Sequence, residues 1–382
     1  MGSWKHVFLL SAVCCLPVLG DSDEHSVENA MKTELDFIVT HGVSHWGENR
    51  FSDAIRQLQG EMPDAEIWNS EEFQRYEAQA QDIPACGTMV PFADLLHKEF
   101  GSKVSWSAEQ KQFFTTVDGV ELTFPVEGTF VNVGGTSIQL TFGIVAIDSV
   151  PSISVRDWQG LLLPLFRPEL LKRYDGKGLI LIDPGHGGNE SGAVRGDVKE
   201  KDFNFAIAQT LVEELEKRGY QVEMTRTEDT DLSLQGRMDL AAGKKCDLFV
   251  SVHNNAAGKD NPEANGTETY VTILSGGRDQ VYGDVEQKEY VNNQFDANNA
   301  VLGYWLQKNL VKQIGSADRG VRHSRFYVLR NAPCPSVLVE TLYMSNDGDF
   351  AKLQEPEHPQ RCAQALADGI DAYFSAAGKG RQ

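Results

Sequence analysis

The feature that most constrains the fold is a regular alternation of strands and helices in the second half of the chain. Apolar runs typical of buried strands occupy residues 178–182, 220–225 and 247–252. Between them, apolar residues recur at helical spacing over residues 200–218 and 232–242. Strands joined through a helix cross over with the right hand, so these three strands run parallel. The pattern predicts an α/β fold with a mostly parallel central sheet flanked by helices over residues 178–376.

The preceding region, residues 84–172, has a different pattern. One short helical run, residues 93–100, is followed by short strand-like runs, and Gly119 and Gly134 mark tight turns between them. This predicts a small α+β domain ahead of the α/β domain. Residues 21–83 are polar and acidic with helical signals, and we assign them no role.

The first twenty residues have the character of an export signal. Lys5 is followed by an apolar run over residues 7–19, which is too short to span a bilayer. We therefore predict a cleaved signal peptide, residues 1–20, and an exported protein. The alternatives are a buried N-terminal helix and a lipoprotein with lipid on Cys14 or Cys15, although the bulky Val13 disfavours lipid attachment.

Charge narrows the classes of partner. The chain has 35 basic and 55 acidic residues, a net charge of −20. Such a surface repels polyanions, so we expect no nucleic-acid binding and no attachment to an anionic membrane surface. Beyond residue 20 no apolar stretch is long enough for a stable membrane span. Four cysteines remain after residue 20, and they leave the disulfide pattern open.

Chemically capable side chains follow the predicted strands. His186 comes after the first strand, His253 ends the third, and Glu340 ends a strongly apolar strand at residues 336–339. Glu200 opens the helix that follows the first strand. Ligands of open α/β sheets gather at the carboxyl ends of the strands, so two histidines and two carboxylates converge on one edge.

This set of side chains suits a catalytic metal. Two imidazoles and one carboxylate are a common ligand set for catalytic zinc, which leaves the remaining carboxylate free for general base and acid work. Each residue also has a structural explanation: His186 can brace a turn, His253 can be half-buried and hydrogen-bonded, and Glu200 can favour a helix N-terminus. A buried Glu340 is harder to explain, because it needs a partner.

Residues 178–374 resemble the zinc-dependent N-acetylmuramoyl-L-alanine amidases of the Amidase_3 type. The matching stretches occur in family order at residues 182–188, 199–202, 251–255, 318–321, 326–330 and 337–340. The resemblance implies that His186, Glu200 and His253 bind Zn²⁺, that Glu340 is the catalytic carboxylate, and that Asn255 lies near the metal and contacts substrate. It implies hydrolysis of the amide between N-acetylmuramic acid and L-alanine in peptidoglycan, in the periplasm or outside the bacterial cell.

Residues 84–172 resemble the repeat domain found at the N-terminus of copper amine oxidases, which implies a spacer or a wall-contact module. No copper ligands are carried over with this resemblance.

Two features depart from the family pattern. Thr341 and Leu342 stand where the family has an aliphatic residue and glycine, so we expect Leu342 to reshape the floor beside Glu340. Residues 274–296 form a polar insertion that we interpret as a solvated surface loop. The alternative is an inhibitory segment in which Glu286 and Glu289 plug the metal site until an activator protein removes it.

Two other functions stay open at this stage. One is a non-catalytic wall-binding protein that has kept the fold. The other is a zinc peptidase acting within stem peptides, since such enzymes use a similar ligand set. Zinc carboxypeptidases hold a free carboxylate with an arginine, and Arg226 and Arg330 are the candidates, although their motif context matches the amidases.

Overall fold

The computed structural model describes residues 89–378, except for residues 148–149, 173–177, 259–260, 262 and 280. The predicted signal peptide and the polar segment 21–83 lie outside the described residues. Within them, one sheet of 13 strands runs through both predicted domains.

The N-terminal module is an antiparallel β-meander with helices on one face. Its elements are β1 (Met89–Pro91), α1 (Phe92–Phe100), β2 (Ser105–Ser107), β3 (Gln112–Val117), β4 (Val120–Phe124), β5 (Gly128–Val133), β6 (Thr136–Ile147), β7 (Val150–Ser154) and four short helical turns, Val155–Asp157, Trp158–Leu162, Leu163–Leu165 and Pro168–Leu170. Gly119 and Gly134 adopt positive φ in the hairpin turns, as the sequence predicts.

The α/β domain follows with alternating strands and helices. Its elements are β8 (Leu179–Pro184), β9 (Val194–Arg195), β10 (Val198–Lys199), α2 (Glu200–Lys217), β11 (Gln221–Met224), α3 (Leu234–Lys244), β12 (Leu248–Asn255), β13 (Thr267–Thr272), a 3₁₀ turn (Val291–Phe295), α4 (Asp296–Ile314), β14 (Asp318–Ser324), α5 (Tyr327–Arg330), β15 (Ser336–Tyr343), α6 (Asp347–Leu353) and α7 (His358–Gly378).

Strand directions in this domain fix where a site can form. The order is β11–β8–β12–β15–β13–β14, and the first four strands run parallel. β13 runs antiparallel to β15, and β14 runs parallel to β13. The predicted α/β fold class with a mostly parallel sheet is confirmed. The carboxyl ends of β8, β12 and β15 therefore share one edge, which we call the catalytic edge, whereas β13 and β14 end at the opposite edge.

Helices cover the sheet unequally. α2, α4 and α7 pack on one face and bury an apolar core with Ile180, Val250 and Val337. α3 and α5 cover the other face, where Phe249 and Leu338 are buried. Cys246 and Cys334 are free buried thiols in this second core, with their Sγ atoms 3.1 Å apart. In the described ranges, no helix combines the length and the apolar character needed to cross a bilayer.

The module is joined to the α/β domain through the sheet itself. β6 pairs parallel with β14, with Val321 opposite Ile138. The Ser137 amide donates to Asp318 Oδ2 at 2.7 Å, and His323 Nε2 lies 2.5 Å from the Gln139 carbonyl oxygen. Ala300 and Tyr304 of α4 belong to the apolar core of the module. Hydrogen bonds and a shared core therefore connect the two parts.

Candidate metal centre and active site

The loop after β8 carries the first histidine in an unusual backbone conformation. His186 has φ of +58°, in the left-handed region that a residue with a side chain seldom adopts. Two buried arginines hold the loop: Arg237 Nη2 donates to the His186 carbonyl at 2.9 Å, and Arg226 Nη2 donates to the Gly185 carbonyl at 3.0 Å. Asp183, at the end of the strand, forms an ion pair with Arg237. The surrounding side chains thus fix the direction of His186.

Three of the predicted residues meet at the catalytic edge. His186 Nε2 lies 3.2 Å from Glu200 Oε2, and His253 Nδ1 lies 3.0 Å from Glu200 Oε1. One ligand atom from each residue lies within 4.8 Å of the others, so the group can hold a metal ion. A Cβ on Gly185 would come within 2.2 Å of the His253 ring, which explains why glycine precedes His186.

The charges of this group suit a cation. Burial disfavours ionised Glu200, but hydrogen bonds and the positive potential of His186 and His253 outweigh it and hold the Glu200 pKa well below its usual range. Burial likewise lowers the pKa of His186, but Glu200 and then Glu190 reverse this and raise it. An anionic carboxylate between two imidazoles is a donor set that fits a zinc ion.

Amide side chains position Glu200 from behind. Asn204 Nδ2 and the Asn254 backbone amide donate to Glu200 Oε1 at 3.0 and 3.2 Å. Asn254 Nδ2 donates in turn to Asn204 Oδ1 at 2.8 Å, and its own Oδ1 accepts from Thr341 Oγ1. Sequence analysis missed Asn204, although it lies one helical turn after Glu200 and therefore on the same face of α2.

Glu340 lies beside the three residues without joining them. In the β12–β15 ladder it is directly opposite His253. Its Oε2 atom is buried, and no described residue provides a hydrogen-bond partner for it. Burial, and then the negative charges of Glu200 and Glu268, raise its pKa well above the usual value. The structure thus offers one unengaged carboxylate next to a candidate metal centre.

The expected effect of Leu342 is not what the structure shows. Between His253 and Asn255 the β12–β15 ladder contains a bulge, because Asn255 pairs with Tyr343. The extra residue turns Leu342 into the core beneath α2 and α7, together with Val339. Glu340 follows Val339 and points to the opposite face. The side chain of Leu342 is therefore packed in the core and does not form the floor of the site.

Asn255 lies near the site within a polar cluster. Its Nδ2 donates to Glu268 Oε1 at 2.8 Å, and its Oδ1 accepts from the Ala256 amide at 2.7 Å. Glu268 is buried on β13, directly opposite Glu340, and Tyr343 also donates to it. The sequence analysis did not single out Glu268, because only the ladder brings it beside Glu340.

The insertion at residues 274–296 does not plug the metal site. It starts where β13 ends, at the edge opposite the catalytic edge. Glu286 forms an ion pair with Arg325 at 3.2 Å and accepts from Tyr290 at 2.5 Å. Asn292 Nδ2 donates to the Cys334 carbonyl at 2.8 Å, which holds the segment beside the start of β15. The antiparallel direction of β13, which the sequence does not reveal, places the insertion there.

The two arginines considered for a peptidase are not available at the metal centre. Arg226 is buried and donates to the carbonyls of Pro184, Gly185 and Lys201. Arg330 lies on α5 at the opposite edge, where it covers the rings of Tyr290 and Tyr327. Neither guanidinium can hold a substrate carboxylate beside Glu340.

Comparison with known proteins agrees with this geometry. The N-acetylmuramoyl-L-alanine amidase family (Amidase_3) matches residues 180–372. The chain is 36% identical over 195 residues to the N-acetylmuramoyl-L-alanine amidase LytC of Bacillus subtilis, covering 51% of this chain and 35% of that protein. It is 34% identical over 200 residues to the probable cell wall amidase LytH of Staphylococcus aureus, covering 52% of this chain and 58% of that protein. The match thus spans between a third and three fifths of these two relatives.

A solved structure is also similar in sequence. The catalytic domain of the N-acetylmuramoyl-L-alanine amidase CwlV from Bacillus (Paenibacillus) polymyxa var. colistinus is 33% identical, with a TM-score of 0.42, over 52% of this chain and 98% of that domain. The family match covers about half of the chain and contains all of the candidate site residues. This chain therefore belongs to the N-acetylmuramoyl-L-alanine amidase family.

Proposed function

We propose that this protein is a zinc-dependent N-acetylmuramoyl-L-alanine amidase that hydrolyses the amide between the lactyl group of N-acetylmuramic acid and L-alanine in peptidoglycan. The observation that carries the proposal is the His186–Glu200–His253 group next to the buried, unengaged Glu340 Oε2. Family membership supplies the substrate class.

In this proposal His186, Glu200 and His253 hold the zinc ion. When bound, zinc polarises the scissile carbonyl and lowers the pKa of water. Glu340 takes a proton from the attacking water through its free oxygen and passes it to the nitrogen of the departing L-alanine. Water is added across the C–N bond, which leaves a lactyl carboxylate and a free amine.

Asn255 has a positioning role in the proposal. Its amide is engaged with Glu268, which fixes the half-buried side chain at the end of β12, where we propose that it contacts substrate. Placement at the metal-proximal end of the strand supports the role that the family resemblance assigns to it.

The cellular setting follows from the same proposal. Peptidoglycan lies outside the cytoplasm, which agrees with the predicted signal peptide at residues 1–20 and an exported, cell-envelope protein. The resemblance of residues 84–172 to the copper amine oxidase N-terminal domain stays a prediction, with a role as a spacer or as a wall-contact module. The structure of the CwlD amidase from Clostridioides difficile was solved in complex with the GerS lipoprotein, which is consistent with a protein partner for an amidase of this kind. Here residues 274–296 do not supply an inhibitory plug for such a partner to remove.

A product analysis tests the proposal. The chain without residues 1–20 is incubated with purified peptidoglycan, with and without chelator, and the products are identified by mass spectrometry. We expect intact stem peptides with a free L-alanine amine, lost with chelator and restored by zinc. Peptides cut internally would identify a zinc peptidase instead. No product under any metal condition would indicate a wall-binding protein.

A further inference from the structure

A polar cluster next to Glu340 contains two arginines that the proposed mechanism does not use. Glu268 is only 1% exposed and lies opposite Glu340 in the β13–β15 ladder. Its Oε1 accepts from Asn255 and Tyr343. Its Oε2 lies 2.8 Å from Arg322 Nε and 3.5 Å from Arg319 Nε. Glu268 therefore holds both arginines as ion pairs, although no hydrogen bond from a described residue reaches its Oε2 atom.

The outer sides of these guanidinium groups remain available. Arg322 Nε also donates to the Arg319 carbonyl at 3.1 Å, but within the described part of the chain the Nη groups of both arginines make no hydrogen bond. The side chains of Arg319 and Arg322 are 27% and 21% exposed. Each side chain also lies over an aromatic ring, Tyr343 for Arg319 at 5.0 Å and Phe130 for Arg322 at 5.5 Å. Rigid, partly exposed guanidinium groups are suited to binding a carboxylate.

The charge of the cluster also requires explanation. Two arginines share Glu268, so this ion-pair group by itself carries one surplus positive charge in a chain of net charge −20. In the described part of the chain, Glu340 forms no ion pair with either arginine, although it is opposite Glu268 in the ladder. A surplus cation at the rim of a site is expected to attract an anionic group of the substrate.

The distance from the reacting bond selects the part of the substrate. The Nε atoms of both arginines lie within 3.5 Å of Glu268 Oε2, and Glu268 is opposite Glu340 on the neighbouring strand, so the guanidinium groups lie about one strand spacing, roughly 4.8 Å, from Glu340. An extended peptide advances about 3.4 Å per residue, so a carboxylate bound there lies one to two residues beyond the cleaved amide. In a stem peptide the second residue is a D-glutamate linked through its γ-carboxyl, which leaves its α-carboxyl free or converted to an amide.

We propose that Arg319 and Arg322, anchored by Glu268, form a subsite for the α-carboxylate of the second stem-peptide residue, so that the protein prefers stem peptides with a free carboxylate there over amidated ones. This inference rests on the proposed amidase function. Phe130 belongs to β5, so the N-terminal module contributes one wall of the subsite by packing against Arg322.

The test uses two disaccharide-tetrapeptides that differ only in carboxylate or carboxamide at the second residue. For the unaltered protein we expect kcat/KM to be at least about tenfold higher for the carboxylate form, mainly through KM. Arg322→Gln and Arg319→Gln should each lower kcat/KM for the carboxylate form by about tenfold and leave the amide form nearly unchanged. Arg322→Lys should retain part of the preference for the carboxylate peptide, because lysine keeps the positive charge but cannot form the two parallel hydrogen bonds of a guanidinium.

Two further variants keep the test decisive. Arg322→Gln alone removes one of the two positive charges that balance buried Glu268. The double variant Arg322→Gln, Glu268→Gln, which removes both charges of the pair, is therefore measured beside it. Arg278→Gln is the matched control, because Arg278 is exposed at the opposite edge and should change neither substrate.

The outcomes separate this inference from the proposed function. Equal kcat/KM for the two peptides in the unaltered protein would overturn the subsite while leaving the amidase intact. Equal losses on both peptides in the arginine variants would show a purely structural role. Failure to release a peptide with a free L-alanine amine from either substrate would overturn the proposed function itself.

Discussion

The two halves of the sheet are built from the same kind of strand but have different capacities. In the α/β half, β8, β12 and β15 are parallel and return through helices, so three strand ends and their loops meet at one edge. In the module, antiparallel strands are joined by tight turns at Gly119 and Gly134, which leave little chain at the edge to carry a site. In the described ranges, the group of histidines and carboxylates that can hold a metal lies in the parallel half. Parallel connectivity concentrates the chemistry, and the antiparallel half supports it.

The sharpest contrast between the halves should come from their carboxylates. Glu340→Gln should lower kcat by about 10²–10⁴-fold, since a carboxamide cannot accept and return the proton, while the bound zinc measured by atomic absorption stays the same. The matched change Glu121→Gln, an exposed carboxylate on β4 of the module, should leave kcat unaltered. A Glu340→Gln variant that kept full activity would remove Glu340 from the proposed mechanism.

Opposite faces of one strand should separate activity from stability. Leu342→Ala empties a fully buried position, so the free energy of unfolding in urea should fall by about 2–5 kcal/mol. Because Leu342 faces the core and not Glu340, the relative kcat/KM for different stem peptides should not change. Leu234→Ala is the control, because Leu234 is about half exposed, and it should lower the free energy of unfolding only slightly. A shift in peptide preference with Leu342→Ala would restore the expectation that this residue shapes the site.

The buried arginine beneath the metal loop should act on zinc affinity. Arg237→Gln removes donors from the Pro184 and His186 carbonyls, so we expect zinc to bind about 10–100-fold more weakly in a chelator competition. The double variant Arg237→Gln, Asp183→Asn avoids an unpaired buried carboxylate and should show a similar loss. Unchanged zinc affinity in both variants would mean that the loop holds His186 without these donors.

A glycine substitution at the junction between the halves should have the smallest effect, a modest loss of stability. Gly320 has φ of +89°, and an added Cβ would lie 2.8 Å from the Ser137 carbonyl oxygen across the β14–β6 junction. Gly320→Ala should lower the free energy of unfolding by about 1–3 kcal/mol. Gly119 has a similar φ of +80°, but an added Cβ there would have free space around it. Gly119→Ala therefore measures the strain of positive φ without a clash and should lower the free energy of unfolding by less than Gly320→Ala. Equal losses would argue that the junction can yield around an added methyl group.

Much of the α/β half was predictable because its local signals agree with its fold. Apolar runs and helical spacing predicted β8, β12, α2 and α3 to within a few residues. The parallel run of the first strands follows from the crossover rule, and it brings His186, His253 and Glu340 to one edge. The position of Glu200 at the start of a helix added it to this set, and the family resemblance then implied its role as a ligand. Its place between the two histidines agrees with that role.

Other features depended on contacts far apart in the chain. By itself the sequence determined the fold class of residues 178–376 and the four residues around the candidate centre, because periodicity and residue type are local properties. Only the tertiary structure decided the antiparallel turn of β13, the bulge that buries Leu342, and the pairing of β6 with β14. These depend on which strands become neighbours and in what register, and that choice is made by long-range packing and hydrogen bonding that no local pattern records.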